Sequence, residues 1–251
     1  MKILWISANR LGFELLKTAQ ETVPGAVTDL ITLSDRASTR MYDGIEPDLW
    51  FDLGVRVHAV ERLNEEAEIL NRIQPDLVIL CGWRQIVSKE LLELPSDGFI
   101  GFHPTLLPYG RGPAPIINTI LHGQTASGLT MFYLGEGLDD GDIIAQKAFP
   151  IAENDHAGEV YDKVVVAGKA IIREYLPQLI AGTAPRKPQD DALAFVFPKP
   201  ALKNNEIDLE KDDLETISRK IRALSHPYLG AFIRQGDEKL IIWRAERKTN
   251  G

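Results

Sequence analysis

A histidine and an aspartate are the two side chains whose setting in this sequence most strongly suggests chemistry. His103 lies in Gly101-Phe-His-Pro-Thr-Leu-Leu-Pro108, which has the pattern of a strand ending in a proline-bounded loop. Asp139 follows 36 residues later in Leu138-Asp-Asp-Gly141, a turn between two apolar runs. An imidazole exchanges protons near neutral pH, and a nearby carboxylate stabilises its protonated form and fixes its tautomer. The pair predicts a proton-transfer site, provided that the fold brings the two segments together.

The chain around these residues alternates strand and helix patterns. Strands are predicted over 2–7, 26–33, 55–60, 76–81, 99–103, 128–135 and 143–151, and helices over 11–21, 61–73, 88–94, 113–121 and 157–181. This alternation predicts an α/β fold, with a mostly parallel twisted sheet and helices on both faces. Ligands of such sheets bind beyond the carboxyl ends of the strands, where His103 would lie.

The last quarter of the chain has a different pattern. Residues 182–205 are rich in proline, lysine and polar side chains and show no clear period, which predicts a linker. Beyond it, a helix over 213–224 and strands over 230–235 and 239–244 predict a short α+β extension. We therefore expect a catalytic domain over 1–182, a linker over 183–208 and an extension over 209–251.

Composition and charge exclude several classes of protein. A net charge of −8 disfavours binding to a nucleic-acid backbone, and no apolar run is long enough to cross a bilayer. The single cysteine, Cys81, excludes an intrachain disulfide, and no targeting pattern precedes the first strand. No residues have metal-ligand spacing, and no glycine-rich phosphate motif occurs. These features predict a cytoplasmic protein without a metal and without a nucleic-acid or membrane partner.

The two motifs resemble the core signature of the folate-dependent formyltransferases. In that family a strand ends in Asn-x-His-x-Ser-x-Leu-Pro, and a later loop carries an aspartate before glycine. His103, Thr105 and Asp139 take the places of the family's histidine, serine and aspartate, whereas Gly101 stands where the family has asparagine. The resemblance implies a Rossmann-like formyltransferase fold and catalytic roles for His103 and Asp139.

The resemblance also implies 10-formyltetrahydrofolate as the cosubstrate. The segment Gly82-Trp-Arg-Gln-Ile-Val87 is similar to the family's loop whose backbone groups receive the pterin ring. The acidic loop over 134–139 would close the other side of that pocket. The residues expected to bind the folate are therefore Gln85, Ile86, Val87, Leu134, Gly137 and Leu138.

A nucleotide-linked amino sugar is the expected acceptor of the formyl group. The stretch over 221–232 is similar to the one that opens the C-terminal region of sugar and methionyl-tRNA formyltransferases. Only 19 residues follow it, too few for the β-barrel of the tRNA enzymes. Residues beyond the linker are expected to contact the acceptor or to hold a homodimer. The other residues expected to contact the acceptor are Asn9, Arg10, Thr105, Tyr109 and Arg111.

Two other functions stay open. A formyltetrahydrofolate hydrolase would use the same histidine and aspartate on water, and a non-catalytic folate- or nucleotide-binding relative would explain Gly101. If the protein is an active transferase, the oxyanion donor that asparagine would supply must come from another group. The expected sources are a protonated His103, the side chain of Thr105 or Asn118, or an ordered water in the space that the glycine leaves.

Overall fold

The computed structural model describes residues 1–39, 41–199 and 205–248. A seven-stranded sheet lies at the centre of this part of the chain. Its strands are β1 (Ile3–Ile6), β2 (Val27–Leu33), β3 (Arg56–Val60), β4 (Leu77–Leu80), β5 (Phe99–His103), β7 (Ala126–Tyr133) and β8 (Ile143–Pro150). The short strand β6 (Tyr109–Arg111), which follows β5 in the chain, lies outside this sheet. The spatial order is β3-β2-β1-β4-β5-β7-β8. Strands β1 to β5 are parallel to one another, whereas β7 runs antiparallel to β5, and β8 runs antiparallel to β7.

Helices cover both faces of this sheet, as the sequence predicts. In the described residues they are α1 (Arg10–Thr22), α2 (Ala67–Ile73), α3 (Lys89–Leu92), α4 (Pro115–Leu121), α5 (Ala157–Ile180) and α6 (Leu214–Leu224). Successive side chains of a strand point to opposite faces. Ile3 and Trp5 of β1 therefore enter the core shared with α1, α4, α5 and α6, whereas Leu4 and Ile6 enter the core shared with α2 and α3. The α/β fold class is confirmed.

One predicted helix is shorter than its sequence pattern suggests. The pattern predicts a helix over 61–73, but α2 begins at Ala67 and follows a 3₁₀ turn over Leu63–Glu65. The side-chain amide of Gln85 accounts for the difference. It accepts a hydrogen bond from the Leu63 N–H (2.9 Å) and donates one to the Glu61 carbonyl oxygen (2.8 Å). The Glu61 carbonyl thus has a partner outside the helix, so the chain need not be helical there.

The residues after α5 are attached to the sheet rather than separate from it. Lys187 and Ile143 exchange backbone hydrogen bonds of 2.7 and 2.9 Å, and β9 (Phe195–Val196) pairs with β6. Beyond α6, β10 (Ala231–Gln235) and β11 (Glu238–Ile242) form a hairpin. Ile221 and Leu224 of α6 belong to the core that contains α4 and α5. The boundaries at 182 and 208 stay predictions. Residues 200–204 of the predicted linker and 249–251 of the extension lie outside the described residues.

None of the helices in the described part of the chain combines the length and the apolar character that crossing a bilayer requires.

Candidate active site

His103 is the last residue of β5 and is almost entirely buried. Its Nε2 lies 2.7 Å from the carbonyl oxygen of Gly110. Because a carbonyl oxygen can only accept a hydrogen bond, Nε2 must carry a proton and donate it. The other ring nitrogen, Nδ1, lies 3.5 Å from Oδ2 of Asp139. The structure therefore brings the two predicted catalytic residues together and gives the two imidazole nitrogens separate partners.

Asp139 lies in the loop over 134–142 between β7 and β8, in a left-handed backbone conformation with φ of 49°. Aspartate tolerates this conformation better than most residues, and such residues cluster at functional sites. The backbone N–H of Gly112 donates to Oδ2 (2.8 Å), the oxygen that faces His103. The Asp139 side chain is 23% exposed. The carboxylate is thus held in place and still accessible at the surface of the site.

Polar side chains from β7 and β8 support the loop that follows His103. The Thr130 hydroxyl donates to the carbonyl oxygen of Thr105 (2.7 Å) and accepts from the Leu107 N–H (3.1 Å). Gln146 Nε2 donates to the Leu107 carbonyl oxygen (2.8 Å) and to the Thr130 hydroxyl (2.9 Å). Sequence reasoning missed both supporting residues. For Thr130, which is fully buried, the signal is a polar side chain inside an apolar strand pattern, since a buried polar group needs a partner. Gln146 is exposed and leaves no such signal.

Gly101 lies two residues before His103, on the same face of β5. A Cβ at this position would be 2.6 Å from a δ-carbon of Leu134 and 3.2 Å from the ring of Phe132. The expectation that the glycine leaves room for an ordered water is therefore wrong, because the Leu134 side chain fills that space. Leu134 comes from the same loop as Asp139, so the glycine allows this loop to pack close to β5.

The other expected replacements for the missing asparagine are largely engaged elsewhere. Asn118 Nδ2 donates to the carbonyl oxygens of Pro113 (2.9 Å), Pro198 (3.1 Å) and Ala114 (3.3 Å). The buried Thr105 hydroxyl lies 3.4 Å from the carbonyl oxygen of Gly110. His103 differs from these two residues, because its Nδ1 lies 3.5 Å from Asp139, which is longer than a hydrogen bond, and so this nitrogen has capacity left for a ligand.

The two segments predicted to bind the folate lie side by side. Val87 and Leu134 pack against the same apolar cluster, and Lys89 forms an ion pair of 2.7 Å with Glu136 of the acidic loop. Ile86 and Leu138 are exposed, with 88% and 55% of their surface accessible.

Two of the predicted folate-binding residues have roles within the protein itself. Gln85 uses its side-chain amide on Leu63, Thr39 and Glu61, so only its backbone can serve a ligand there. Gly137 lies so close to the Asp140 carboxylate, 1.8 Å from where a Cβ would be, that a larger residue would displace it.

Asn9 and Arg10, two of the predicted acceptor contacts, lie in a separate cluster after β1. The Asn9 side chain accepts from the Gly12 N–H (3.0 Å) and donates to Asp43 (2.9 Å), and it is 6% exposed. It therefore caps α1, which corrects the expectation of a substrate contact. Arg10 is exposed and forms an ion pair with Asp162 (2.6 Å). In the same cluster, burial and the nearby Asp43 carboxylate raise the pKa of the Tyr161 hydroxyl.

The remaining predicted acceptor contacts flank His103. Arg111 is 8% exposed, and its guanidinium donates to Gln189 (2.9 and 3.1 Å) and to Asp191 (2.8 Å). These bonds, rather than a substrate anion, satisfy it. Tyr109 is 39% exposed, and its ring stacks on that of Phe195 with centroids 5.0 Å apart.

A reactive thiol or a metal site would be another source of chemistry among the described residues. Burial, together with the charge of Asp43, raises the pKa of the Cys81 thiol, so this buried thiol is a poor nucleophile. Within the described ranges, no group of three or more histidine, cysteine, aspartate or glutamate side chains could hold a metal ion.

The fold and this site agree with what comparisons with known proteins show. The sequence model of the formyl transferase family matches residues 1–176, and the chain belongs to this family. It is 39% identical over 192 residues to a methionyl-tRNA formyltransferase from Halalkalibacterium halodurans. That match covers 76% of this chain and 60% of the relative, so the chain spans less than two thirds of that protein's length. The resemblance noted from the motifs is confirmed.

Solved structures of sugar N-formyltransferases share the fold. One from a Shewanella species superposes with a TM-score of 0.77 at 22% identity, covering 100% of this chain and 99% of that one. An N-formyltransferase from Helicobacter canadensis, solved with folinic acid and dTDP-3-aminofucose, also shares the fold. It superposes with a TM-score of 0.70 at 22% identity, covering 89% of this chain and 80% of that one.

Proposed function

We propose that the protein transfers a formyl group from 10-formyltetrahydrofolate to an amine. The observation that carries this proposal is the arrangement of His103 at the carboxyl end of β5. The Gly110 carbonyl holds its Nε2–H, and Nδ1 faces the Asp139 carboxylate. Membership of the formyl transferase family supplies the reaction class, and this pair supplies the groups that can move a proton.

Formyl transfer forms a bond between the amine nitrogen and the formyl carbon and breaks the bond between that carbon and the folate nitrogen. A proton must leave the amine, and another must reach the departing nitrogen. Because Nε2–H is committed to Gly110, Nδ1 of His103 is the atom that gains and loses a proton. The Asp139 carboxylate stabilises the imidazolium, and the protonated Nδ1, 3.5 Å from that carboxylate, is the charged donor available to a developing oxyanion.

The folate would bind between the loop over 82–87 and the loop over 134–139. The exposed apolar side chains of Ile86 and Leu138 offer surfaces for a flat ring, and the partly buried Val87 and Leu134 support them. A ligand there would bury apolar surface that now faces solvent, which favours binding. The relative from Helicobacter canadensis was solved with a reduced folate, folinic acid, and supports this assignment.

A nucleotide-linked amino sugar is the acceptor that we propose. The net charge of −8 disfavours an extended nucleic-acid backbone as a substrate. The Shewanella sugar N-formyltransferase matches essentially the whole of both chains, and the Helicobacter canadensis relative was solved with dTDP-3-aminofucose. The stacked rings of Tyr109 and Phe195 form a half-exposed aromatic surface beside Gly110, suited to a nucleobase.

Incubation with 10-formyltetrahydrofolate and a panel of amines tests this proposal. The panel contains dTDP- and UDP-linked amino sugars and charged initiator methionyl-tRNA, and the readouts are tetrahydrofolate release and the mass of the formylated product. We expect one class of amino sugar to be formylated. Formyl-methionyl-tRNA would contradict the acceptor, and formate release without a formylated amine would indicate a hydrolase. Folate binding without turnover would indicate a non-catalytic relative.

A further inference from the structure

Residues 187–199, which we call the strap, run across the candidate active site. The strap begins with the backbone pairing between Lys187 and Ile143, and it continues through β9, which pairs with β6. Near its end, the Pro198 carbonyl oxygen accepts a hydrogen bond from Asn118. The strap therefore contacts the strand after the Asp139 loop and also the β6 segment whose Gly110 carbonyl holds His103.

Within the strap, the Gln189 side chain connects these two parts of the site. Its Nε2 donates to the carbonyl oxygens of Asp139 and Gly141, at 2.8 Å each. Its Oε1 accepts from Nε and Nη2 of Arg111, at 3.1 and 2.9 Å. The carbonyl oxygens require a donor and the guanidinium requires an acceptor, so the orientation of the amide is fixed.

The bonds of Gln189 lie where the Asp139 loop needs support. The Asp139 backbone is left-handed, and residues 135–138 before it are exposed. The two carbonyl groups that Gln189 binds bracket Asp140, so they fix the backbone on the C-terminal side of Asp139. Arg111, the other partner of Gln189, directly precedes Gly112, whose N–H donates to the Asp139 carboxylate. One side chain thus joins the backbone that carries this carboxylate to the segment that orients it.

We propose that Gln189 is a positioning residue that holds the Asp139 carboxylate against Nδ1 of His103. The role in catalysis rests on the proposed formyl-transfer function. The geometric role does not, because it concerns contacts within the folded protein. Gln189 acts through Asp139, so its loss should change the chemical step more than the binding of the folate.

Two substitutions separate the contribution of the Gln189 amide oxygen, which accepts from Arg111, from that of its amide nitrogen, which donates to the carbonyl oxygens of Asp139 and Gly141. Gln189→Glu keeps an oxygen for Arg111, and adds charge to that pair, but turns a second oxygen toward the carbonyl groups of Asp139 and Gly141. Gln189→Met keeps a similar volume and removes both the amide oxygen and the amide nitrogen. If Gln189 serves only to satisfy the buried Arg111, the glutamate variant should behave as the wild type. If Gln189 positions Asp139, both variants should differ from the wild type in the His103 Nδ1 signal and in kcat. The matched controls are the same two substitutions at Gln178, a half-buried residue of α5 whose side-chain amide donates to the Glu174 carbonyl oxygen of the same helix.

The first readout is the ¹⁵N spectrum of the histidine-labelled protein, with His103 assigned by its absence in His103→Gln. We expect both Gln189 variants to shift the Nδ1 signal of His103 in the direction that Asp139→Asn does. The Nε2 signal, whose partner is Gly110, should move less. This readout needs no turnover, so it tests the positioning role even if the proposed function fails.

The second readout is the steady-state rate with 10-formyltetrahydrofolate and the best acceptor. Misplacement of a catalytic group by about 1 Å can cost on the order of 100-fold in rate. We therefore expect kcat to fall about 10- to 100-fold in both Gln189 variants, with the KM for the folate within about threefold of wild type. Wild-type His103 signals in Gln189→Glu would overturn the positioning role, and a wild-type kcat in that variant of an active enzyme would overturn its part in catalysis. An inactive wild type would instead count against the proposed function.

Discussion

Two aspartate–histidine pairs lie in the described part of this protein, and their surroundings differ. Asp29 of β2 meets His58 of β3 at 2.9 Å, and its side chain is 1% exposed. It also accepts two hydrogen bonds from Arg56 (2.9 and 3.1 Å) and one from Thr28 (2.7 Å). Every oxygen of this carboxylate has partners, so the pair joins two neighbouring strands and has little capacity left for a ligand.

The pair of Asp139 and His103 has the opposite character. Their separation of 3.5 Å is longer than a hydrogen bond, the carboxylate accepts from Gly112, and 23% of its side chain is accessible. It lies beyond the carboxyl end of β5, whereas Asp29 lies within a strand. Residue types alone therefore do not identify a reactive pair. Incomplete hydrogen bonding and access to ligand are what distinguish it.

The largest effect that we predict is on turnover when the reactive histidine is removed. His103→Ala should lower kcat by on the order of 100-fold or more, because a proton-transfer group is lost. The matched control is His58→Ala, which removes the histidine of the saturated pair and should leave kcat unchanged at 20 °C. Near-normal turnover of folded His103→Ala protein would show that this imidazole is not the proton-transfer group.

The saturated pair should instead control acid stability. Burial by itself would raise the pKa of Asp29, but hydrogen bonds from Arg56, His58 and Thr28 and the charge of Arg56 lower it to about 2. A pKa depressed in the folded state stabilises the protein above the ordinary aspartate value of about 3.9, and this stabilisation is lost as the pH falls toward 2. Asp29→Asn should therefore cost about 1–2 kcal/mol at pH 7, a figure that allows for the exposure of Arg56.

Urea denaturation of the Asp29→Asn protein between pH 7 and pH 2.5 checks this prediction. The difference in free energy of unfolding from wild type should shrink as the pH falls below about 4. The exposed ion pair of Asp162 with Arg10 supplies the control, since Asp162→Asn should change stability by less than about 1 kcal/mol. A difference for Asp29→Asn that stays constant with pH would contradict the ionic origin of its effect.

A smaller effect is expected at Gly101, where the site lacks the family's asparagine. Asparagine cannot fit beside Leu134 without displacing it, so we combine Gly101→Asn with Leu134→Ala. If His103 supplies the oxyanion donor, the double variant should be no faster than Leu134→Ala alone. A gain of tenfold or more would show that the wild-type site lacks a donor, since one such donor is worth about 100-fold or more.

The smallest effect is predicted for Cys81, which should not react in the folded protein. Its thiol is fully buried, and burial raises its pKa, so the reactive thiolate is scarce. Iodoacetamide at pH 8 should label it in urea and leave it unmodified in buffer, as mass spectrometry would show. Rapid labelling of the folded protein would mean that the end of β4 opens readily.

The sequence predicted the sheet and β5, because periodic apolar runs and strand-end motifs are local signals, whereas the meeting of His103 with Asp139 rested on the resemblance to the family. It did not predict how side chains divide their hydrogen bonds. Asn9 follows a strand and directly precedes a helix, which is also the pattern of an N-cap, and the structure uses it so. Gln189 lies in a stretch whose composition indicates a linker. Gln189 contacts Asp139, which lies 50 residues earlier in the chain, so no local sequence pattern indicates this contact.

A comparison of initial rates for Asp139→Asn and Asp29→Asn, with 10-formyltetrahydrofolate and the acceptor found by the panel, tests most directly whether the pair of Asp139 and His103 carries out catalysis. Both substitutions remove one charge from an aspartate–histidine pair and keep the side-chain shape. We predict that Asp139→Asn loses on the order of 100-fold in kcat while remaining as stable as wild type. Asp29→Asn should keep its kcat at 20 °C and unfold more easily. Full turnover of Asp139→Asn, or an equal loss in folded Asp29→Asn, would contradict the assignment of catalysis to the incompletely bonded pair.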